Sequence, residues 1–141
     1  MYFGLVFPCL KFFSKSLYYN NFMELLYLKE IDSTNKYAKE NLVHIKDRTV
    51  IYAGTQTAGR GRLNRKWASN EGDNLYATIV LKPSDEIKEV YSNLTQYLSV
   101  ILAEVLEEYN VVPKIKWPND VRINGKKISG ILAECVFEKN V

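Results

Sequence analysis

The sequence is poor in the residues that announce a metal centre or a covalent framework. It has two cysteines, Cys9 and Cys135, outside any CxxC or CxxH spacing, and one histidine, His44, in a polar stretch expected to face solvent. A disulfide scaffold and a structural zinc site are therefore unsupported, and no nucleophile–base pair stands out. No run of about 20 apolar residues occurs, so no membrane-spanning helix is expected. No GxGxxG or Walker loop follows a strand pattern, which sets aside two common nucleotide-binding folds. An excess of one charge sign is missing too. The formal charge of +3, from 19 Lys and Arg against 16 Asp and Glu, is too small to argue for a nucleic-acid partner. These absences favour a reducing, cytoplasmic setting.

What is present suits one domain. With 47% hydrophobic residues in 141, the chain can bury a core. Its positive charge is local: residues 59–66 hold Arg60, Arg62, Arg65 and Lys66 and no acid. A basic loop on a near-neutral domain suits a small anionic ligand better than a polyanion. Residues 1–22 are aromatic and basic, with Pro8 interrupting the apolar part. The basic residues follow the apolar run, the reverse of a signal peptide. We read this segment as an unpatterned extension from an over-extended translation start, ahead of a domain over 23–141. Its removal is expected to leave folding and ligand binding intact.

Periodicity predicts strands over 23–31, 49–55, 74–82, 114–117, 121–123 and 127–137, and helices over 33–42 and 85–109. Asp32 and Ser33 are N-cap residues for the first helix. In the second, Leu94, Tyr97, Leu98, Ile101, Val105 and Leu106 fall on one face. Asn124-Gly125 signals a type I′ hairpin. Helices and strands do not alternate regularly, so the fold class is α+β with a mixed or mostly antiparallel sheet.

Four segments carry candidate chemistry. In the loop Gly59-Arg60-Gly61-Arg62-Leu63-Asn64-Arg65-Lys66-Trp67, glycines let backbone N–H groups converge on an anion. Its arginines match carboxylate and phosphate oxygens two at a time. Such a loop could equally be a solvated surface loop or a nucleic-acid-binding RG segment. Lys116-Trp117-Pro118-Asn119-Asp120 places an amide and a carboxylate at a strand edge, or forms an ordinary turn. In Lys126-Lys127-Ile128-Ser129-Gly130, alternation puts Lys127 and Ser129 on one face of the strand and Ile128 and Gly130 on the other. A glycine inside a strand marks a close approach. Asp32-Ser33-Thr34-Asn35 opens a helix, and N-cap duty alone explains one of these residues.

Taken together and in this order, the four segments strongly resemble the biotin–protein ligase family. The resemblance runs from about Met23 to Glu134, and the Gly-Arg loop and Trp-Pro-Asn-Asp are its most specific parts. It implies the α+β catalytic-domain fold related to class II aminoacyl-tRNA synthetases. The implied activity is ATP-dependent: biotin is activated to biotinyl-5′-AMP and passed to a lysine of a biotin carboxyl carrier protein. It also implies a biotin site built from Ser33, Thr34, Asn35, Gln56, Gly59, Arg60, Gly61, Arg62, Trp67, Lys127 and Gly130. Arg65, Asn119 and Lys127 would meet the nucleotide. Lys127, Arg62 and Asp120 would carry the catalytic roles, Asp120 orienting the acceptor lysine. Mg²⁺ would arrive on the ATP phosphates, with no metal ligand assigned in the chain.

Two departures from the family shape the expectations. Asn64 stands where a third loop glycine is common. The family's later strands, among them a Gly-rich strand with a nucleotide-binding asparagine, and its small C-terminal β-domain are not found here. The last strand is therefore expected to have an open edge that leaves Ile128, Ile131 and Leu132 partly uncovered and promotes self-association. The family's helix-turn-helix is not found either, so a nucleic-acid partner is not expected. The alternatives are an inactive, truncated biotin-binding remnant and a lipoate-type ligase.

Overall fold

The computed structural model describes residues 2–8, 23–69, 74–82 and 93–136. Among these described residues seven strands form one sheet: β1 (Tyr2–Pro8), β2 (Leu25–Ile31), β3 (Val50–Gln56), β4 (Asn74–Val80), β5 (Pro113–Lys116), β6 (Asp120–Ile123) and β7 (Lys126–Glu134). Helix α1 (Thr34–Glu40) packs over β1, β3 and β4, and helix α2 (Leu94–Glu107) over β5, β6 and β7. The strand order is β2-β3-β4-β1-β7-β6-β5. Only β2 and β3 run parallel; every other pair is antiparallel. The fold is thus α+β with a mixed, mostly antiparallel sheet, as the irregular order of elements predicts.

Local chemistry accounts for most boundaries. Ser33 caps α1, its hydroxyl accepting from the Lys36 N–H. Asn124 and Gly125 both have positive φ, at 50° and 77°, as a type I′ hairpin requires. In β3 and β4 the residues are buried on both faces, so VIYAGTQ and NLYATIV are nearly unbroken apolar runs. Ile51 and Val80, both fully buried, pack with Ala38 and Ile45 beneath α1. Each such side chain stabilises the fold by about 1.5–3 kcal/mol. A second cluster joins Leu102 of α2 to Val121 and Ile131.

Three expectations are corrected. Tyr2–Pro8 is not unpatterned: it is a strand paired on both edges, with Leu5 opposite Ala77 on one side and Ile131 on the other. A short apolar run without alternation carries no period by which to recognise it. Residues 9–22 lie outside the described residues. The edge of the last strand is not open either, because β1 pairs along it from Tyr2↔Glu134 to Val6↔Gly130. Ile131 is buried, and Ile128 and Leu132 are half-buried, so the open-edge argument for self-association falls away. In α2 the buried face centres on Ser99, Leu102 and Ala103, while Tyr97 and Val105 are exposed. The Ser99 hydroxyl lies within hydrogen-bond distance of the Pro118 carbonyl and turns that face inward. The predicted start of this helix, 85–92, lies outside the described residues.

Candidate functional site

The strand order carries two half-sites to one cavity. The first half comes from the start of α1, the end of β3 and the loop after it. The second comes from the turn before β6 and from β7. Between them lies a cavity of about 370 Å³.

Its floor is neutral and rich in hydrogen-bonding groups. Gln56 is pinned by Thr34, whose backbone N–H donates to Oε1 at 2.8 Å and whose hydroxyl lies 3.1 Å from the same oxygen. Because an N–H can donate only to the oxygen, the amide nitrogen of Gln56 is the end left free for a ligand. The Ser33 hydroxyl caps α1 as an acceptor and keeps its own proton for donation. Gly59 does not line the cavity, but it makes room for this arrangement. A Cβ there would sit 3.1 Å from Gln56 Nε2 and 3.0 Å from the Trp67 carbonyl.

Asn35 also lines the cavity, yet both ends of its amide are engaged. Oδ1 lies 2.6 Å from the Thr78 hydroxyl, and Nδ2 donates to Glu134 Oε2 at 2.9 Å. Thr78 and Glu134 went unnoticed in the sequence. The one available signal for Thr78 is a lone hydroxyl in the apolar run of β4, since a buried polar group needs a partner. The cavity further gains Leu63, Lys66, Ala77, Ile131 and Leu132.

The rim is cationic. The loop folds as a small hairpin, with Gly61 N–H donating to Arg65 O at 2.8 Å and Trp67 N–H to Gly59 O at 2.9 Å. This brings Arg60, Gly61, Arg62, Arg65 and Trp67 to the cavity. Arg62 reaches across to Asn119 Oδ1 at 3.1 Å, and Asn119 is itself held by donating to the Ile131 carbonyl at 3.1 Å. Lys127 Nζ lies 2.8 Å from Asp120 Oδ1 and 4.5 Å from the Trp67 ring centroid, a cation–π contact.

The strand faces expected around Lys127 are corrected. Arg122 pairs with Lys127 but Val121 with Ser129, so Ile128 is an extra residue in β7. This bulge turns the Lys127 side chain to the face of Gly130, where a Cβ would lie 3.0 Å from both Lys127 Nζ and the Trp67 ring. Ser129 is fully buried instead, and its hydroxyl has no protein partner.

Leu63, 84% exposed, holds the loop tip in the left-handed region at φ 56°. That conformation costs a side-chain residue about 1 kcal/mol or more. Leu63→Gly is expected to raise the melting temperature by a few degrees in a thermal denaturation scan. A lower melting temperature would contradict the strain.

Outside the cavity, the ammonium of Lys36, hydrogen-bonded to Asp32, holds that carboxyl below its ordinary value, and the same pairing raises Lys36. Asp32 thus favours the fold above the ordinary carboxylate range and loses that contribution as pH falls through its lowered value. The pair is solvent-exposed, so its effect is small.

Among the described residues no three His, Cys, Asp or Glu side chains cluster to hold a metal, and Asp120, the one carboxylate on the wall, is paired with Lys127. These side chains do not make a Mg²⁺ site. No helix of the described residues is long and apolar enough to cross a membrane.

The profile of the Biotin/lipoate A/B protein ligase family matches residues 27–141. The bifunctional ligase/repressor BirA of Bacillus subtilis is 37% identical over 118 residues, covering 82% of this chain and 36% of that protein. The biotin–[acetyl-CoA-carboxylase] ligase of Paracoccus denitrificans is 34% identical over 114 residues, covering 76% and 45%. Among solved structures, the biotin protein ligase of Aquifex aeolicus in complex with biotin and ATP superposes with a TM-score of 0.66 at 41% identity, covering 79% of this chain and 47% of that one. The chain spans about a third to a half of the length of these relatives. A family profile over most of the chain, joined to relatives of more than 30% identity, leads to one assignment: the chain belongs to the biotin/lipoate A/B protein ligase family.

Proposed function

We propose that the cavity binds biotin beside ATP, forms biotinyl-5′-AMP and passes the biotinyl group to a lysine of a biotin carboxyl carrier domain in the cytoplasm. The carrying observation is the division of the cavity into a neutral hydrogen-bonding floor and a cationic rim. A ureido ring needs donors and acceptors, which Gln56, Ser33 and Thr34 supply. A carboxylate and a phosphate need fixed positive charge, which Lys127 and the loop arginines supply. The dithiolane ring of lipoate would leave the amide of Gln56 without a partner, so this floor favours biotin. The Aquifex aeolicus relative holds biotin and ATP, and a Helicobacter pylori relative holds biotinylated ATP.

In the first step a biotin carboxylate oxygen attacks the α-phosphorus, and the bond to pyrophosphate breaks. Two anions must approach, and Lys127 with Arg62 offsets their repulsion and stabilises the charge developing at the junction. Arg65 and Asn119 face the nucleotide side. Mg²⁺ would accompany ATP as part of that substrate and offset phosphate charge, with no ligand to it assigned among these residues. In the second step the acceptor amine attacks the acyl carbon and the bond to AMP breaks. Asp120 has a second carboxylate oxygen with which to orient that amine. The loop shields the mixed anhydride from water.

Calorimetry with biotin and lipoate, followed by ATP, tests the reading. Biotin is expected to bind and lipoate not. Biotin binding without adenylate formation would mark a binding remnant, and no biotin binding would refute the proposal.

The Arg62–Asn119 bond latches the loop across the cavity. Arg62→Gly is therefore expected to release biotinyl-adenylate faster while retaining most biotin affinity. A rapid-filtration assay of adenylate retention checks this; equal release from both proteins would remove the latch.

A further inference from the structure

We infer that Glu134, the last residue of β7, is a positioning residue that orients the Asn35 amide in the cavity floor and ties the arginine loop to it. Its two carboxylate oxygens point to different parts of the site. Oε2 accepts from Asn35 Nδ2 at 2.9 Å, and Oε1 lies 3.7 Å from the Arg60 guanidinium. The inference rests on the biotin reading for its ligand.

The direction follows from proton counting. A carboxylate only accepts, so Asn35 must turn its NH₂ toward Glu134 and its carbonyl toward Thr78. The fully buried Thr78 hydroxyl then spends its one proton on Asn35 Oδ1 at 2.6 Å. Its oxygen lies 2.8 Å from the Thr34 hydroxyl. Thr34 also holds Gln56 by its oxygen, which leaves the Gln56 amide nitrogen for the ligand. A continuous polar chain therefore runs from Arg60 in the loop through Glu134, Asn35, Thr78 and Thr34 to Gln56. Reversing the polarity at Glu134 would reverse Asn35. The Asn35 NH₂ would then turn away from the Leu132 carbonyl, 3.5 Å off, and the Thr78 proton would have to turn to the Thr34 oxygen.

Donor–acceptor exchange tests this. Glu134→Ala is expected to weaken biotin binding about tenfold to a hundredfold in calorimetry. Glu134→Gln, which still accepts from Asn35 and loses only the Arg60 ion pair, should weaken it less. Asn35→Asp sets two carboxylates against each other and should bind as poorly as Glu134→Ala. The double variant Asn35→Asp with Glu134→Gln restores a donor facing an acceptor, and should return to within about fivefold of Glu134→Gln, a coupling seen only between groups in contact. A merely structural role would not produce this rescue.

A ligand-free readout separates this inference from the biotin reading. Glu134→Ala and Glu134→Gln should both speed trypsin cleavage within residues 60–66 relative to the parent protein. If the parent fails to bind biotin, the proposed function falls and the cleavage rates still judge Glu134. Parental cleavage rates in both variants, or a double variant no better than Asn35→Asp in a biotin-binding parent, would overturn the inference.

Discussion

Replacing Lys127 by alanine is expected to slow biotinyl-adenylate formation by about a hundredfold or more, because one preorganised charge donor at a developing anion is commonly worth that. Lys127 is held on three sides: by Asp120 at 2.8 Å, by the Trp67 ring at 4.5 Å and by the absent side chain of Gly130. Little reorganisation is needed when the carboxylate and phosphate arrive. The alanine variant loses this charge and leaves Asp120, a mostly buried carboxylate, unneutralised beside the incoming anions. Its effect should exceed that of removing Arg62, which lies on the more exposed loop. Pyrophosphate release at saturating biotin and ATP measures it. A rate within about threefold of the parent would strip Lys127 of its role.

Unpairing β1 is expected to have the second large effect, on the fold and the site together. β4 contributes Ala77 to the cavity and Thr78 to the hydrogen bonds behind it, β7 contributes Lys127 and Gly130 to the rim, and the strand that bonds to both is Tyr2–Pro8. Val6→Pro introduces a residue that cannot donate to the ladder between Tyr76 and Gly130. A proline in a central strand removes a ladder hydrogen bond and leaves a buried partner unmet, which costs about 1–3 kcal/mol and should lower the melting temperature by several degrees. Deleting residues 1–22 should do at least as much harm, and both changes should abolish biotin binding. Circular dichroism melts and calorimetry on the two variants check this. Unchanged melting and affinity would show that the two halves of the sheet meet without β1.

The sequence was most legible where structure is local. Ser33 as an N-cap, the Asn124-Gly125 turn and the glycine–arginine loop each depend on neighbours a few residues away. The strands β3 and β4 declared themselves by composition. What escaped notice depends on partners distant in sequence. The bulge at Ile128 exists only against β6, so simple alternation put Lys127 on the wrong face. Glu134 and Thr78 meet through Asn35, and no spacing rule links positions on β7, β4 and α1. The buried face of α2 was misjudged because Ser99, a polar residue, faces inward to reach the Pro118 carbonyl.

The place of β1 also sets the order of assembly. Gly4 pairs with Leu132 and Tyr2 with Glu134, so the centre of the sheet closes through the largest sequence separation of any strand pair among the described residues. Such contacts form late, because the entropy of closing a long loop must be met before the pairing rewards it. During synthesis the segment YFGLVFP emerges well before β7 and meets it only after residues 126–134 have left the ribosome. Until then its unpaired backbone and apolar side chains are open to other chains. The yield of folded protein should therefore be set by how long β1 waits for β7.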